Sequence, residues 1–204
     1  MTKQVRESLI PPEQRMVWSE GKPLSDKIHY ASGRNVWEGW TNTDYFDAKS
    51  FPTGEFPTDL VNKVYHADLT QRHPFPDNVF RYAYCEAFLE YMSQKDSITF
   101  LFEVRRCLQP GGVLRISTVG LHGVMHRHYY DRQFENLGEE HYQCYDRWGH
   151  LHLFTHDTLR AIGLAAGFSR YKEVVFGRSD HAALNGIDTR EGQIDFNILA
   201  ELTK

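Results

Sequence analysis

The sequence predicts an α/β protein on a mostly parallel sheet with helices on both faces, and three observations carry that reading. Residues 80–117 run strand, helix, Gly-Gly turn, strand, the pattern of a parallel crossover, and such connections are right-handed almost without exception. Residues 155–176 repeat helix then strand. Upstream, three short strand-like runs stop near Gly33, Asp44 and Asp68, so two of the three end on an acid.

Taken in order, residues 1–24 form a polar arm broken by Pro11-Pro12 and Pro23, with a short helix expected around Glu13–Glu20. Ile28-His29-Tyr30 reads as strand one and Thr41–Phe46 as strand two. Phe51–Asp59, holding Pro52, Gly54 and Pro57, reads as loop, and Val64–Asp68 as a third strand. His73–Asn78 is turn chemistry before the aromatic strand Phe80–Cys85. Ser93-Gln94-Lys95-Asp96 resembles a capping box. Ile98, Leu101, Phe102, Arg105 and Leu108 then keep helical spacing up to Gln109-Pro110-Gly111-Gly112. Val113–Ser117 follows as a buried strand. Thr155 reads as the N-cap of a helix holding Leu159, Ile162, Leu164 and Ala166, stopped at Gly167-Phe168. Tyr171–Phe176 is another strand, and Asn197–Leu202 is expected as an edge or hairpin partner.

The chain of 204 residues suffices for one well-cored domain. A net charge of −4 with mixed signs gives no basic footprint, which argues against nucleic acid. Apolar runs such as Leu151–Phe154 are far too short for a bilayer, and no secretory signal is read at the N-terminus. Cys85, Cys107 and Cys144 are odd in number and widely spaced, as expected of reduced thiols in the cytoplasm.

The stretch "PFPDNVFRYAYCEAFLEYM", followed by "FLFEVRRCLQPGGVLRIST", resembles the central portion of class I S-adenosylmethionine-dependent methyltransferases, in particular the small type 11 group. "TLRAIGLAAGF" is similar to that group's later helix. The resemblance covers about residues 27–177 and implies a doubly wound, mostly parallel seven-stranded Rossmann-like sheet in three α/β/α layers. It implies S-adenosylmethionine as cofactor, with S-adenosylhomocysteine as product, and divides the chain into an arm (1–24) and one domain (25–204). Residues 121–154 would be an acceptor-site insertion or cap.

The resemblance also assigns residues. Ala31-Ser32-Gly33 stands where the group has Gly-Cys-Gly, so only the last glycine matches; Ala31 fits there only if its φ stays negative. Asp44, with Tyr45 beside it, falls where an acid holds the ribose hydroxyls. Asp68 matches the acid near the adenine amino group, with Leu69 against the ring; Cys85 and Glu86 end strand four beside the methionine moiety. Taken singly, a turn glycine, a strand-end acid or a small buried cysteine is ordinary structure; the acids at successive strand ends favour the cofactor reading.

Eleven histidines, most of them after Gly120, invite a zinc reading. No Cys-x-x-Cys or H-E-x-x-H accompanies them, so no metal is expected. His150 is the first candidate for taking a proton from an acceptor hydroxyl, followed by His122 and His152. Trp148, Tyr129, Tyr130 and Tyr145 are candidate acceptor walls. The expected acceptor is a hydroxyl of a carbohydrate or other small metabolite, the protein being a monomer or homodimer without nucleic-acid or membrane partners. A non-catalytic binding module is the alternative, supported by Ala31 and by Ala87 where relatives have histidine. A nicotinamide-dependent oxidoreductase would need G-x-G-x-x-G, which Gly33 and Gly39 do not provide.

Overall fold

The computed structural model describes residues 8–46, 58–126 and 145–204. The expected acceptor walls Tyr129 and Tyr130, Cys144, and most of the Phe51–Asp59 loop lie outside the described residues.

Seven strands form one sheet: β1 (Lys27–Tyr30), β2 (Thr41–Asp44), β3 (Tyr65–His66), β4 (Phe80–Glu86), β5 (Leu108–Val119), β6 (Arg170–Glu173) and β7 (Asn197–Thr203). Their order is β3-β2-β1-β4-β5-β7-β6. The first five are parallel, and β7 runs antiparallel to both β5 and β6. This is the mostly parallel, seven-stranded Rossmann-like α/β sheet the sequence predicts. Of the two expectations for the last strand, the hairpin partner holds and the edge does not: β7 pairs antiparallel with β6 and lies in the interior between β5 and β6. Its alternation supports that position, since Ala200 and Leu202 enter the core while Glu201 is buried on the other side against Arg115.

Helix α1 (Gln94–Cys107) starts as its sequence dictates, with the Ser93 hydroxyl accepting from the Asp96 N–H at 3.1 Å. Ser97, Phe100, Leu101, Val104 and Cys107 form its buried stripe. Helix α2 (Leu121–Met125) is short; α3 (His156–Ala165) opens with a capping box between Thr155 and Thr158. In the first residues of β5, Gly111 takes φ +74, and a Cβ on Gly112 would come within 2.9 Å of the Gln109 carbonyl oxygen. The Pro-Gly-Gly turn thus answers a close backbone approach.

Strand alternation sorts the sheet into two faces. Ile28, Tyr30, Ala83, Cys85, Leu114, Ile116, Ala200 and Leu202 join Phe100, Leu101 and Val104 of α1 and Leu159 of α3 in the main core. The opposite face carries His29, Tyr84, Arg115 and Glu201, and among the described residues two connections cover it where helices on both faces were expected. In the β1–β2 connection (31–40), Trp37 stacks on His29 at 4.1 Å and reaches Tyr84 at 5.1 Å. Parallel strands usually need a crossover of a dozen or more residues; here tryptophan packing replaces a helix. The β6–β7 connection (174–196) covers the rest, held by Arg115.

The helix expected around Glu13–Glu20 does not form. Only a 3₁₀ turn at Pro12–Gln14 appears, because the arm's backbone is engaged elsewhere: the Met16 carbonyl accepts from His66 N–H at 2.8 Å, and Phe46 carbonyl from Leu9 N–H at 2.9 Å.

Candidate active site at the carboxyl ends of the parallel strands

β1 turns sharply at its end. Ala31 has φ +51 and Gly33 φ +54. The expectation that Ala31 keeps a negative φ is therefore overturned: Ser32 N–H is bonded to the Thr43 carbonyl at 2.9 Å, and the tight turn this imposes drives Ala31 into the left-handed region. For an L-residue that costs roughly 1–2 kcal/mol. Gly33 differs in having open space around the position of a Cβ.

Asp44 ends β2 and binds the loop from across the strand pair. Its Oδ2 accepts from Gly33 N–H at 2.7 Å, and its Oδ1 from the N–H groups of Tyr45 (2.7 Å) and Phe46 (3.0 Å). The Asp44 carbonyl accepts from Ala67 N–H, so the ends of β1, β2 and β3 are linked through this one residue. Tyr45 packs its ring 4.9 Å from His66. Ser32 is buried, and its hydroxyl has no hydrogen-bond partner, leaving an orphaned polar atom beneath the loop.

Of the other expected cofactor residues, Asp68 is exposed and closes a local turn, accepting from the Thr70 N–H and hydroxyl at 3.0 and 2.7 Å. Leu69 packs in the main core. Cys85 is fully buried there too, and burial pushes its thiol well up, with the Glu90 and Glu86 charges adding to the effect. A thiol so placed is no nucleophile at neutral pH. Glu86, at the end of β4, accepts from both the N–H (3.1 Å) and the hydroxyl of Thr189. Ala87 beyond it has φ +49.

His122 is exposed on α2. His150 sets its ring edge-on to Tyr91 at 5.2 Å, and His152 lies against Phe154 at 4.4 Å. Both belong to a segment docked on Glu90, whose carbonyl accepts from Leu151 N–H (2.7 Å) and His152 N–H (3.2 Å). Tyr145 supplies the carbonyl for His150 N–H at 3.0 Å, and Trp148 is largely exposed.

Glu90 is the functional candidate that sequence reading passes over. It is 1% exposed, bonded through Oε2 to the Thr118 hydroxyl at 2.7 Å, and burial raises its pKa to about 7. A charged residue inside the apolar run Ala87-Phe88-Leu89-Glu90-Tyr91-Met92 is the signal that could have marked it. Thr189 and Arg190 are the other additions.

Among the described residues, no group of three or more His, Cys, Asp or Glu is arranged to hold a metal ion, and no helix is long and apolar enough to cross a membrane. A cavity of about 600 Å³ is lined by Trp18 and Glu20 of the arm and by Arg72, His73, Phe75 and Pro76, and by none of these rim residues.

Residues 46–116 match the family model described as a methyltransferase domain. No match was found among curated protein sequences. Solved structures share the fold. A Thermotoga maritima protein described as a SAM-dependent methyltransferase, possible histamine N-methyltransferase, is 16% identical over 90% of this chain and 83% of its own, with a TM-score of 0.55. A SAM-dependent methyltransferase from Archaeoglobus fulgidus is 15% identical over 90% of this chain and 87% of its own, at TM-score 0.54. Haemonchus contortus phosphoethanolamine N-methyltransferase 2, solved with S-adenosyl-L-methionine, is 11% identical at TM-score 0.53; the match spans 90% of this chain and 49% of that enzyme. The resemblance to class I methyltransferases of the type 11 group is borne out by the family-model match together with the fold.

Proposed function

We propose that this chain, carrying a methyltransferase-domain segment on a class I methyltransferase fold, is an enzyme that moves a methyl group from S-adenosylmethionine to a hydroxyl of a carbohydrate or other small metabolite. The observation that carries the reading is the clasp between Gly33 N–H and the Asp44 carboxylate, beside Glu86 at the next strand end. Open α/β sheets bind ligands at this rim, where strand order reverses between β1 and β4. The residues fit the cofactor: Gly33 leaves space where a side chain would project, and the Ser32 hydroxyl lacks a partner.

When bound, S-adenosylmethionine supplies an electrophilic methyl group carried on a sulfonium. Gly33 and its neighbours would approach it through backbone, Asp44 would face the ribose, and Asp68 the adenine side of the rim. Residues 121–154 would cap the acceptor. The protein's contribution is to position and dehydrate the reactants, for which well-oriented pairs gain roughly 7–11 kcal/mol. An imidazole of the Glu90-docked segment, His150 first and His152 next, would take the acceptor's hydroxyl proton. The buried thiols of Cys85 and Cys107 suit a cytoplasmic protein acting as a monomer or homodimer.

Ala31 and Ala87, both non-glycine residues at positive φ around the rim, favour a second reading: a module that binds the cofactor without turnover. Isothermal titration with S-adenosylmethionine and S-adenosylhomocysteine tests the proposal, with one site per chain expected for each. Binding of neither removes both readings. Tight binding with no transfer of labelled methyl to a broad panel of hydroxylated acceptors selects the module.

A further inference from the structure

Glu90 is held by one element and holds another. It lies in the 3₁₀ turn Leu89–Tyr91 beyond β4, and its buried Oε2 accepts from the hydroxyl of Thr118, near the end of β5, at 2.7 Å. Thr118 is fully buried as well. An apolar residue of similar size would fill this place at a smaller desolvation cost. What the acid adds is a directed bond, which fixes how the turn sits against β5. The same turn takes up residues 150–154. The Glu90 carbonyl accepts from Leu151 N–H and His152 N–H, and the ring of the next residue, Tyr91, meets His150 edge-on. The far end of this segment is tied to the chain beyond β5. There Leu121 N–H donates to the Phe154 carbonyl at 2.7 Å, Gly120 and Phe154 form a parallel bridge, and Leu153 packs with Val119 and Val124.

We propose that Glu90 is a positioning residue: its bond to Thr118 sets the Leu89–Tyr91 turn as a clamp on a strap of residues 150–154, and so places the His150 and His152 imidazoles. The inference rests on the methyl-transfer reading above, in which those imidazoles take the acceptor's proton, and goes beyond it by naming what holds them. The buried carboxylate acts through this geometry and does not meet the acceptor. Three consecutive determinants come from one place in the chain. The Glu90 side chain fixes the turn, its carbonyl takes two strap amides, and the Tyr91 ring sets His150. Released from the clamp, the strap keeps its Phe154 end, while the half that carries the imidazoles loses two backbone bonds.

Amide hydrogen exchange at a fixed pH, followed by NMR, separates this role from a general contribution to stability. The samples are wild type, Glu90→Gln, Glu90→Leu, Thr118→Val, and the last two substitutions combined. Glu90→Leu and Thr118→Val are each expected to speed exchange at Leu151 and His152 by about tenfold or more, and to erase the Overhauser contact between the His150 and Tyr91 rings. Amides inside β4 and β5, such as those of Cys85 and Ile116, should stay within about twofold, since a loss of overall stability would raise them too. The combined variant should match the single ones within about twofold, because both substitutions remove the same bond. Glu90→Gln keeps an oxygen toward Thr118 and should retain both the protection and the ring contact. Unchanged exchange at Leu151 and His152 in Glu90→Leu, or a rise shared equally by β4 and β5, overturns the inference alone. Wild-type protein that binds neither S-adenosylmethionine nor S-adenosylhomocysteine overturns the methyl-transfer reading, and the exchange pattern still decides whether Glu90 clamps the strap.

Discussion

Asp44 serves two tasks with one carboxylate. Its three backbone N–H bonds shape the loop after β1 and the exit from β2, and on the proposed function the same group would also hold the ribose. Asp44→Ala leaves three donors without their acceptor, so it should lower stability by about 2–3 kcal/mol and also sharply weaken S-adenosylhomocysteine binding. Asp44→Asn keeps the shape but offers a single acceptor oxygen, and should fall between. Urea unfolding and calorimetry on the same samples check both effects; unchanged affinity in the folded alanine variant would place the ribose elsewhere. That Asp44 ends a strand beside a glycine turn was legible, because both features are local. The role of Asp68 as a turn-closing acid depends only on Thr70, yet its neighbours alone cannot distinguish that role from a ligand contact. Glu90 was illegible for the opposite reason: its partners Thr118, Leu151 and His152 come from distant sequence.

Elements show the same division. Helices α1 and α3 were readable from Ser93 and Thr155 onward, because caps and a 3.6-residue period are written within a dozen residues. The position of β7 was not, since strand pairing is non-local and its sequence fits an edge as well as an interior. Nor was the extended arm, whose Met16 carbonyl is taken by His66. The β6–β7 connection looks like loop in sequence, yet it is fixed to the sheet through Arg115. Arg115→Met would leave Asp188 and Glu201 buried without their cation, and removing one partner of such a network costs about 3–5 kcal/mol. A fall of that size in urea unfolding is expected. A loss under about 1 kcal/mol would mean that the connection is held by packing, and that Thr189 and Arg190 do not depend on the staple.

At the scale of the whole molecule, buried titratable groups pull stability in opposite directions as pH changes. Burial depresses His29, under Trp37, and His73, beside Tyr30, to about 4 each. Between there and their unfolded value near 6.5 the unfolded chain binds more protons, so both make stability rise with pH. Glu90, raised to about 7, does the reverse: from about 4.5 to 7 the folded chain binds the extra proton, and stability falls as pH rises. At about 1.4 kcal/mol per unit for each group, the histidines gain about 4 kcal/mol together from pH 5 to 6.5, and Glu90 gives back about 3 kcal/mol from pH 5 to 7. The wild-type protein should therefore change little in stability across that range. Glu90→Gln imitates the protonated acid and removes the opposing contribution. It should match wild type at pH 5 and exceed it by a few kcal/mol at pH 7, as read from urea unfolding at both pH values. Parallel pH profiles for the two proteins would show that Glu90 titrates like an exposed acid, with its charge already met at the rim by Arg190.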